Sequence, residues 1–289
     1  LGPHCTCIVV SPFHLHPLCE TMMQVLRVAD AGRVHPFGDE RTVTQAFPAG
    51  IPEKEADPFL MCDSFAMPSD GPVSHDDEFP IDWHPHRGMD ILTYLKSGLG
   101  RHGDSMGNRE VFPTPGMQWI SCGSGIEHAE GGATPAGEVM EGFQIWVNVP
   151  ADRKMDDPRY GTEPPEAIPQ TQVAEGARAR LLAGELGGRT GRFSTVADVQ
   201  MVDFELEPGA RLEHALPVGL DTCLLYCYRG RGEVAGAALR QGRVALLDAS
   251  SAAVRSFALA AAAGTGTEPL HVMLFAGKKL REPIAWHGP

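Results

Sequence analysis

The apolar positions of this chain fall in short runs separated by glycine and proline, and within the runs large apolar residues alternate with polar or small ones. A period of two is the signature of β-strands with one buried face. In the first half such runs lie over 24–28, 41–46, 57–65, 90–95, 116–122 and 143–149. The last is the clearest, with Phe143, Ile145 and Val147 alternating with Gln144, Trp146 and Asn148. The same texture returns over 179–184, 199–206, 222–228, 244–247 and 271–276. Residues 31–33 and 97–100, with Glu207-Pro208-Gly209 and Arg229-Gly230-Arg231-Gly232, read as turns. The polar stretch 66–83 reads as a loop. The alanine-rich stretch 249–263 is assigned to strand and loop because its neighbours carry the β pattern.

Residues 150–170 interrupt this texture. Pro150, Pro158, Pro164, Pro165 and Pro169 sit among charged residues, which predicts an interdomain connection. The expected layout is an N-terminal extension over 1–24, a first barrel over 25–155 and a second over 156–289. The extension reads as a tail or the remnant of a targeting segment. Two all-β units with regular turns predict paired barrels or jelly rolls.

Composition sharpens this picture. Apolar residues make up 43% and charged residues 21%, as in soluble globular proteins. No run approaches the ~20 apolar residues of a membrane-spanning helix. The net charge of −13 argues against direct binding to nucleic acid and suits a basic protein partner. The 7 cysteines are odd in number and scattered, so they predict free thiols and a reducing compartment. Cys223 and Cys227, four apart on a strand, share a face and are expected in the core.

The candidate chemistry lies between His84-Pro85-His86 and His128-Ala129-Glu130. Residues i and i+2 of a strand point to one face. Two such strands facing one interior bring together three imidazoles and a carboxylate, a donor set suited to a divalent transition metal with positions left open. Asp90 competes with Glu130 for the carboxylate place, because it shares the parity of His84 and His86, but its shorter side chain ranks it below. His102 and Asp104 are expected to line the entrance or hold a turn. Arg87 is expected to support the ligands by hydrogen bonding. Gln118 fits either pocket wall or core, and Trp119 fits core. His14 and His16 have Pro17 beside them and no second ligand pair following, so they are set aside. In the second half Glu213-His214 lacks a His-x-His partner and His271 stands alone in an apolar strand, so no metal is expected there. Gly123-Ser124-Gly125 lacks the lysine and helix of a phosphate loop and the helix of a hydrolase elbow. Its glycines are expected to turn the backbone tightly beside the metal.

Several of these segments together resemble the pirin family of the cupin superfamily. They are His84-Pro85-His86-Arg87-Gly88, Gln118-Trp119, Gly123-Ser124-Gly125-Ile126 with His128 and Glu130, Gln144-Ile145-Trp146-Val147-Asn148, Pro158-Arg159-Tyr160 and Glu282-Pro283-Ile284. The resemblance covers 25–289. It implies a bicupin, two tandem cupin β-barrels packed face to face, with one non-haem iron in the first barrel held by His84, His86, His128 and Glu130. It implies an Fe(II)-dependent dioxygenase that cleaves flavonols such as quercetin with O₂, Glu130 serving also as general base. The alternative it implies is an iron-dependent, redox-sensing transcriptional co-regulator. The same donors tolerate Mn, Ni, Co and Cu. The chain is expected to be a monomer of the cytoplasm or nucleus, with an organelle left open by the extension. One departure lies beside the ligands: Met89-Asp90 stands where the family usually carries an aromatic and an acidic residue, which predicts a different pocket wall.

Overall fold

The computed structural model describes residues 22–35, 42–69, 71 and 79–285. The expectations for residues 1–21, His14 and His16 among them, lie outside that range. Among the described residues the chain is almost entirely β, with one helical turn at Glu53–Ala56 and a short 3₁₀ turn at Ala151–Arg153. No helix among the described residues is long and apolar enough to cross a membrane.

Each of two cupin domains pairs a seven-stranded sheet with a four-stranded one. The first large sheet runs, in spatial order, Arg159–Glu163, Gly116–Ser121, Met89–Ser97, Val139–Asn148, Phe59–Pro68, Val43–Phe47 and Gly32–Val34. Its small sheet runs Ile81–His86, Ile126–Gly132, Gly100–Asp104 and Arg109–Phe112. The second large sheet runs Val25–Asp30, Arg243–Leu247, Thr222–Arg229, Leu270–Gly277, Val199–Leu206, Ala177–Ala183 and Gln170–Ala174. Arg211–Ala215, Ser256–Ala261, Arg231–Val234 and Ala237–Arg240 form its small sheet.

The sheets exchange strands across the expected boundaries. Val25–Asp30 opens the expected first barrel in sequence but pairs with Arg243–Leu247 of the second. Arg159–Glu163, inside the expected connection, pairs with Gly116–Ser121 of the first. Proline and charge mark this edge strand as a linker because an edge strand is solvated along one side and carries little apolar signal. Residues 31–33 are not a turn. The chain crosses there from one large sheet to the other, and Gly32–Val34 already pairs with Val43–Phe47.

Strand alternation sets both faces of the first large sheet. Along Met89–Ser97, Ile91, Thr93 and Leu95 point into the first barrel, while Leu92 and Tyr94 join the apolar layer between the domains. That layer joins both large sheets face to face. The Phe275 ring meets Phe47 at 5.1 Å and Phe59 at 5.5 Å, both edge-on, and Phe143 meets Tyr228 at 5.0 Å. Buried Asp203 crosses the layer, accepting from Tyr94 Oη at 2.8 Å, from Tyr228 Oη at 2.7 Å and from Lys96 Nζ. His271 belongs here, with Nδ1 3.4 Å from Tyr228 Oη.

The two barrel interiors differ. The second is filled by apolar side chains, among them Val202, Phe204, Leu225, Phe257 and Leu274, with Cys223 and Cys227 as expected. His214 is there too, its Nε2 2.8 Å from Gln200 Oε1 and its ring against Phe204 and Phe257. The apolar cluster inside the first barrel is small, centred on Ile91, Ile120, Cys122 and Ile126. The rest of that interior is a cavity of about 1380 Å³.

Candidate metal centre

The expected loop over 66–83 ends early, and Ile81–His86 is a strand antiparallel to Ile126–Gly132. His128 stands opposite His84, and Ile126 opposite His86. The three imidazoles therefore meet on one face. Donor atoms of His84, His86 and His128 all lie within 4.8 Å of one another. Ring centroids are 4.4 Å apart for His84–His128, 4.8 Å for His84–His86 and 4.9 Å for His86–His128.

Gly88 and Gly123 make this approach possible. Gly88 has φ +68° and Gly123 φ +50°, where a side chain is strained. A Cβ at Gly123 would come within 2.0 Å of the Asp156 carbonyl oxygen. Lys154 Nζ donates to the Gly88 carbonyl at 2.8 Å, so the 150s segment braces the turn after the first pair.

The arrangement fits a divalent cation. His86 Nε2 and both ring nitrogens of His128 are buried without a hydrogen-bond partner. Leaving such atoms unpaired costs about 1–3 kcal/mol each. Metal–nitrogen bonds of about 2.1 Å place two donors at most about 4.2 Å apart, comparable to the 4.8 Å within which these donors lie. His84 Nδ1 lies 2.7 Å from the Asp82 carbonyl oxygen, to which it donates, leaving Nε2 free to ligate. Burial, reinforced by neighbouring imidazoles, lowers His86 to about 4 and His128 to about 2. Both rings are therefore neutral near pH 7 and offer lone pairs.

Glu130 stands beside this group and not within it. The register slips between His128 and Glu130, so Glu130 pairs with Ile81. Its Oε1 accepts from Gln144 Nε2 at 2.8 Å, and Gln144 Oε1 accepts from Thr93 Oγ1 at 2.6 Å. Oε2 makes no hydrogen bond among the described residues, and the side chain lines the cavity. Burial raises its carboxyl from 4.5 to about 7, against the opposing effect of Gln144.

A folded value above the unfolded one means that the stabilisation is complete below about pH 4.5 and is lost as pH rises through 7. In metal-free protein, Glu130→Gln is therefore expected to match wild type at pH 4 and exceed its unfolding free energy at pH 8, by on the order of 2–3 kcal/mol. Denaturant titrations at both pH values check this. A constant difference between the two variants at both pH values would contradict it.

The other candidates separate cleanly. Asp90 faces away, its Oδ2 accepting from the Val196 amide at 2.7 Å. The parity argument fails because the positive-φ Gly88 breaks the strand between His86 and Met89. Asp104 holds a turn as expected, accepting from the Met106 and Asn108 amides at 2.9 and 3.0 Å. His102 is not at the entrance. It is fully buried, 3.0 Å from Asp104 Oδ2, stacked on Tyr160 at 4.3 Å and 5.5 Å from the His128 ring. Arg87 lines the cavity, but the visible support of the ligands comes from the Asp82 carbonyl. Gln118 and Met89 are cavity wall, and Trp119 packs on Phe193 at 5.7 Å. Gln144, Thr93 and Asp63 were not singled out by sequence, although Gln144 shares a strand and parity with Trp146.

Two β-barrels with three imidazoles converging in one of them define a bicupin with a candidate metal centre. Known proteins narrow this further. The pirin family model matches residues 34–147, and the model of the pirin C-terminal cupin domain matches 201–289. A Pseudomonas aeruginosa protein provisionally named quercetin 2,3-dioxygenase is 34% identical over 264 residues, covering 88% of this chain and 87% of its own. The crystal structure of a quercetin 2,3-dioxygenase from Acinetobacter baumannii superposes with a TM-score of 0.81 at 28% identity, covering 93% of this chain and 91% of that one. The bacterial pirin YhhW of Escherichia coli, solved in complex with nickel(II), shares the fold with a TM-score of 0.65 at 17% identity, covering 88% and 99%. The chain belongs to the pirin family.

Proposed function

We propose that this protein is a metal-dependent dioxygenase that opens the ring of a flavonol-like enol, with iron(II) as its metal. The ligands in this reading are His84, His86 and His128, with Glu130 as the fourth. The observation that carries it is the set of buried, unpartnered imidazole nitrogens of His86 and His128, with His84 and His86 lining an open cavity. The relatives provisionally named quercetin 2,3-dioxygenase point to the same substrate class.

Bound there, a redox-active divalent metal supplies Lewis acidity toward an enol oxygen and electron exchange with O₂. The chain does the rest. Glu130 Oε2 takes the proton of the enol hydroxyl. Burial in the metal-free protein raises Glu130 to about 7, toward the range where a general base is most effective. Gln144, held by Thr93, fixes Oε1 so that Oε2 faces the substrate. Trp146, Met61 and Ile126 line the cavity with apolar surface that excludes water from the enolate.

Oxygen uptake with quercetin tests the proposal. Iron-loaded wild type is expected to consume O₂, and His86→Ala to fall to the background rate. Identical, background-level uptake by both proteins overturns it.

A further inference from the structure

The inner wall of the first large sheet carries a polar row. Gln118 is opposite Thr93, Thr93 opposite Gln144, Gln144 opposite Asp63, and Asp63 opposite Gln45. Directly opposed residues of antiparallel strands point to the same face, so these five side chains stand side by side across five strands, and all five line the cavity. The rows on either side are apolar. Ile120, Ile91, Trp146 and Met61 form one, and Leu95 and Phe65, with Gly142 between them, form the other. A wall selected for packing alone has no use for a polar row, because each buried polar group must be hydrogen-bonded or cost stability.

Most of the row is internally satisfied. Thr93 donates to Gln144, Gln144 to Glu130, and Gln45 Nε2 to Asp63 Oδ1 at 2.8 Å. Gln118 is the exception. It is 1% exposed, yet its Nε2 has no partner. An amide NH₂ is a donor only, so its missing partner is an acceptor. The apolar rows above and below leave space for a flat, apolar face, and the polar row meets that ligand's edge.

We infer that this row is the substrate-recognition strip of the cavity, with Gln118 Nε2 donating to a carbonyl oxygen of a flat aromatic substrate and Asp63 meeting a hydroxyl of the same molecule. The inference rests on the dioxygenase reading and names the part of the substrate that the wall reads. Glu130 and the imidazoles act on the reacting enol, whereas Gln118 sets which enol is held. Asp63, buried and with Oδ1 already accepting from Gln45, is an acceptor for a hydroxyl on that ligand's edge.

The test is anaerobic binding to the metal-loaded protein of two probes with the same hydroxyl pattern, quercetin and the flavan-3-ol catechin, which lacks the carbonyl. Gln118→Met preserves length and removes the donor. It is expected to weaken quercetin about tenfold and catechin less than about twofold. Gln118→Leu gives the same contrast should the methionine variant misfold. An equal loss for both probes, or no loss for either, overturns the assignment of Gln118 while leaving the dioxygenase reading intact. Failure of wild type to bind quercetin overturns both.

Discussion

Replacing His128 with alanine is expected to abolish stable metal binding while leaving the metal-free protein about as stable as wild type. The two halves of this expectation come from one observation. His128 is fully buried, and neither ring nitrogen has a partner. Removing a buried ring of this size ordinarily costs about 3–5 kcal/mol in lost packing and cavity formation. Here the same change removes two unsatisfied polar atoms, each costing about 1–3 kcal/mol. The terms nearly offset, so the unfolding free energy of the metal-free protein should move by no more than about 1–2 kcal/mol. Metal affinity has no such compensation. Loss of a group that merely orients a ligand costs 10–100-fold, so loss of a ligand is expected to cost more than about 100-fold. Equilibrium dialysis with metal analysis, alongside denaturant titration of the metal-free proteins, measures both. Wild-type metal affinity in His128→Ala would remove His128 from the centre. A collapse of the metal-free fold would show that the ring is there for packing.

The second large effect concerns the layer between the domains. Phe275→Ala is expected to destabilise the protein by about 3–5 kcal/mol, a large part of the 5–15 kcal/mol typical of folded proteins. Phe275 is fully buried and meets Phe47 and Phe59 of the opposite sheet edge-on. These rings come from strands far apart in sequence, so no local rearrangement refills the space. The midpoint of urea unfolding should fall markedly. A loss below about 1 kcal/mol would show that the domains do not depend on this contact. The imidazole centre lies on the other side of the first large sheet. Phe275→Ala should therefore leave metal affinity near the wild-type value at temperatures where the variant is folded.

The sequence displayed the parts of this structure whose signal is local. Alternation revealed the central strands, because both of their faces are buried and each carries a strong pattern. Val139–Asn148 shows why: Phe143, Ile145 and Val147 face the interdomain layer, while Gln144 and Trp146 face the cavity. The histidine pairs were legible because a spacing of two on a strand has one geometric meaning. Edge strands such as Arg159–Glu163 were not legible, since half of their surface is solvated. The exchange of Val25–Asp30 into the second sheet leaves no mark within the segment itself. Asp90 entered as a competing ligand only through its parity with the histidines, and parity does not carry through a positive-φ glycine. The polar row across Gln118, Thr93, Gln144, Asp63 and Gln45 was invisible for a different reason. Each member is an ordinary polar residue in its own strand, and only the register of five strands aligns them. The bulge that draws Glu130 one step from the imidazoles is likewise a property of pairing, and it is what separates the base from the three nitrogens.

On the proposed reading, this centre and its buried carboxylate cleave a flavonol with O₂, a class of ring cleavage that releases one carbon as carbon monoxide. The most direct measurement reconstitutes the protein anaerobically with iron(II), adds quercetin, admits O₂ and follows carbon monoxide release together with oxygen uptake. Wild type is expected to release one carbon monoxide for each O₂ consumed, and His86→Ala to exchange neither gas above background. Iron and quercetin both bound, with no oxygen uptake and no carbon monoxide, would contradict it.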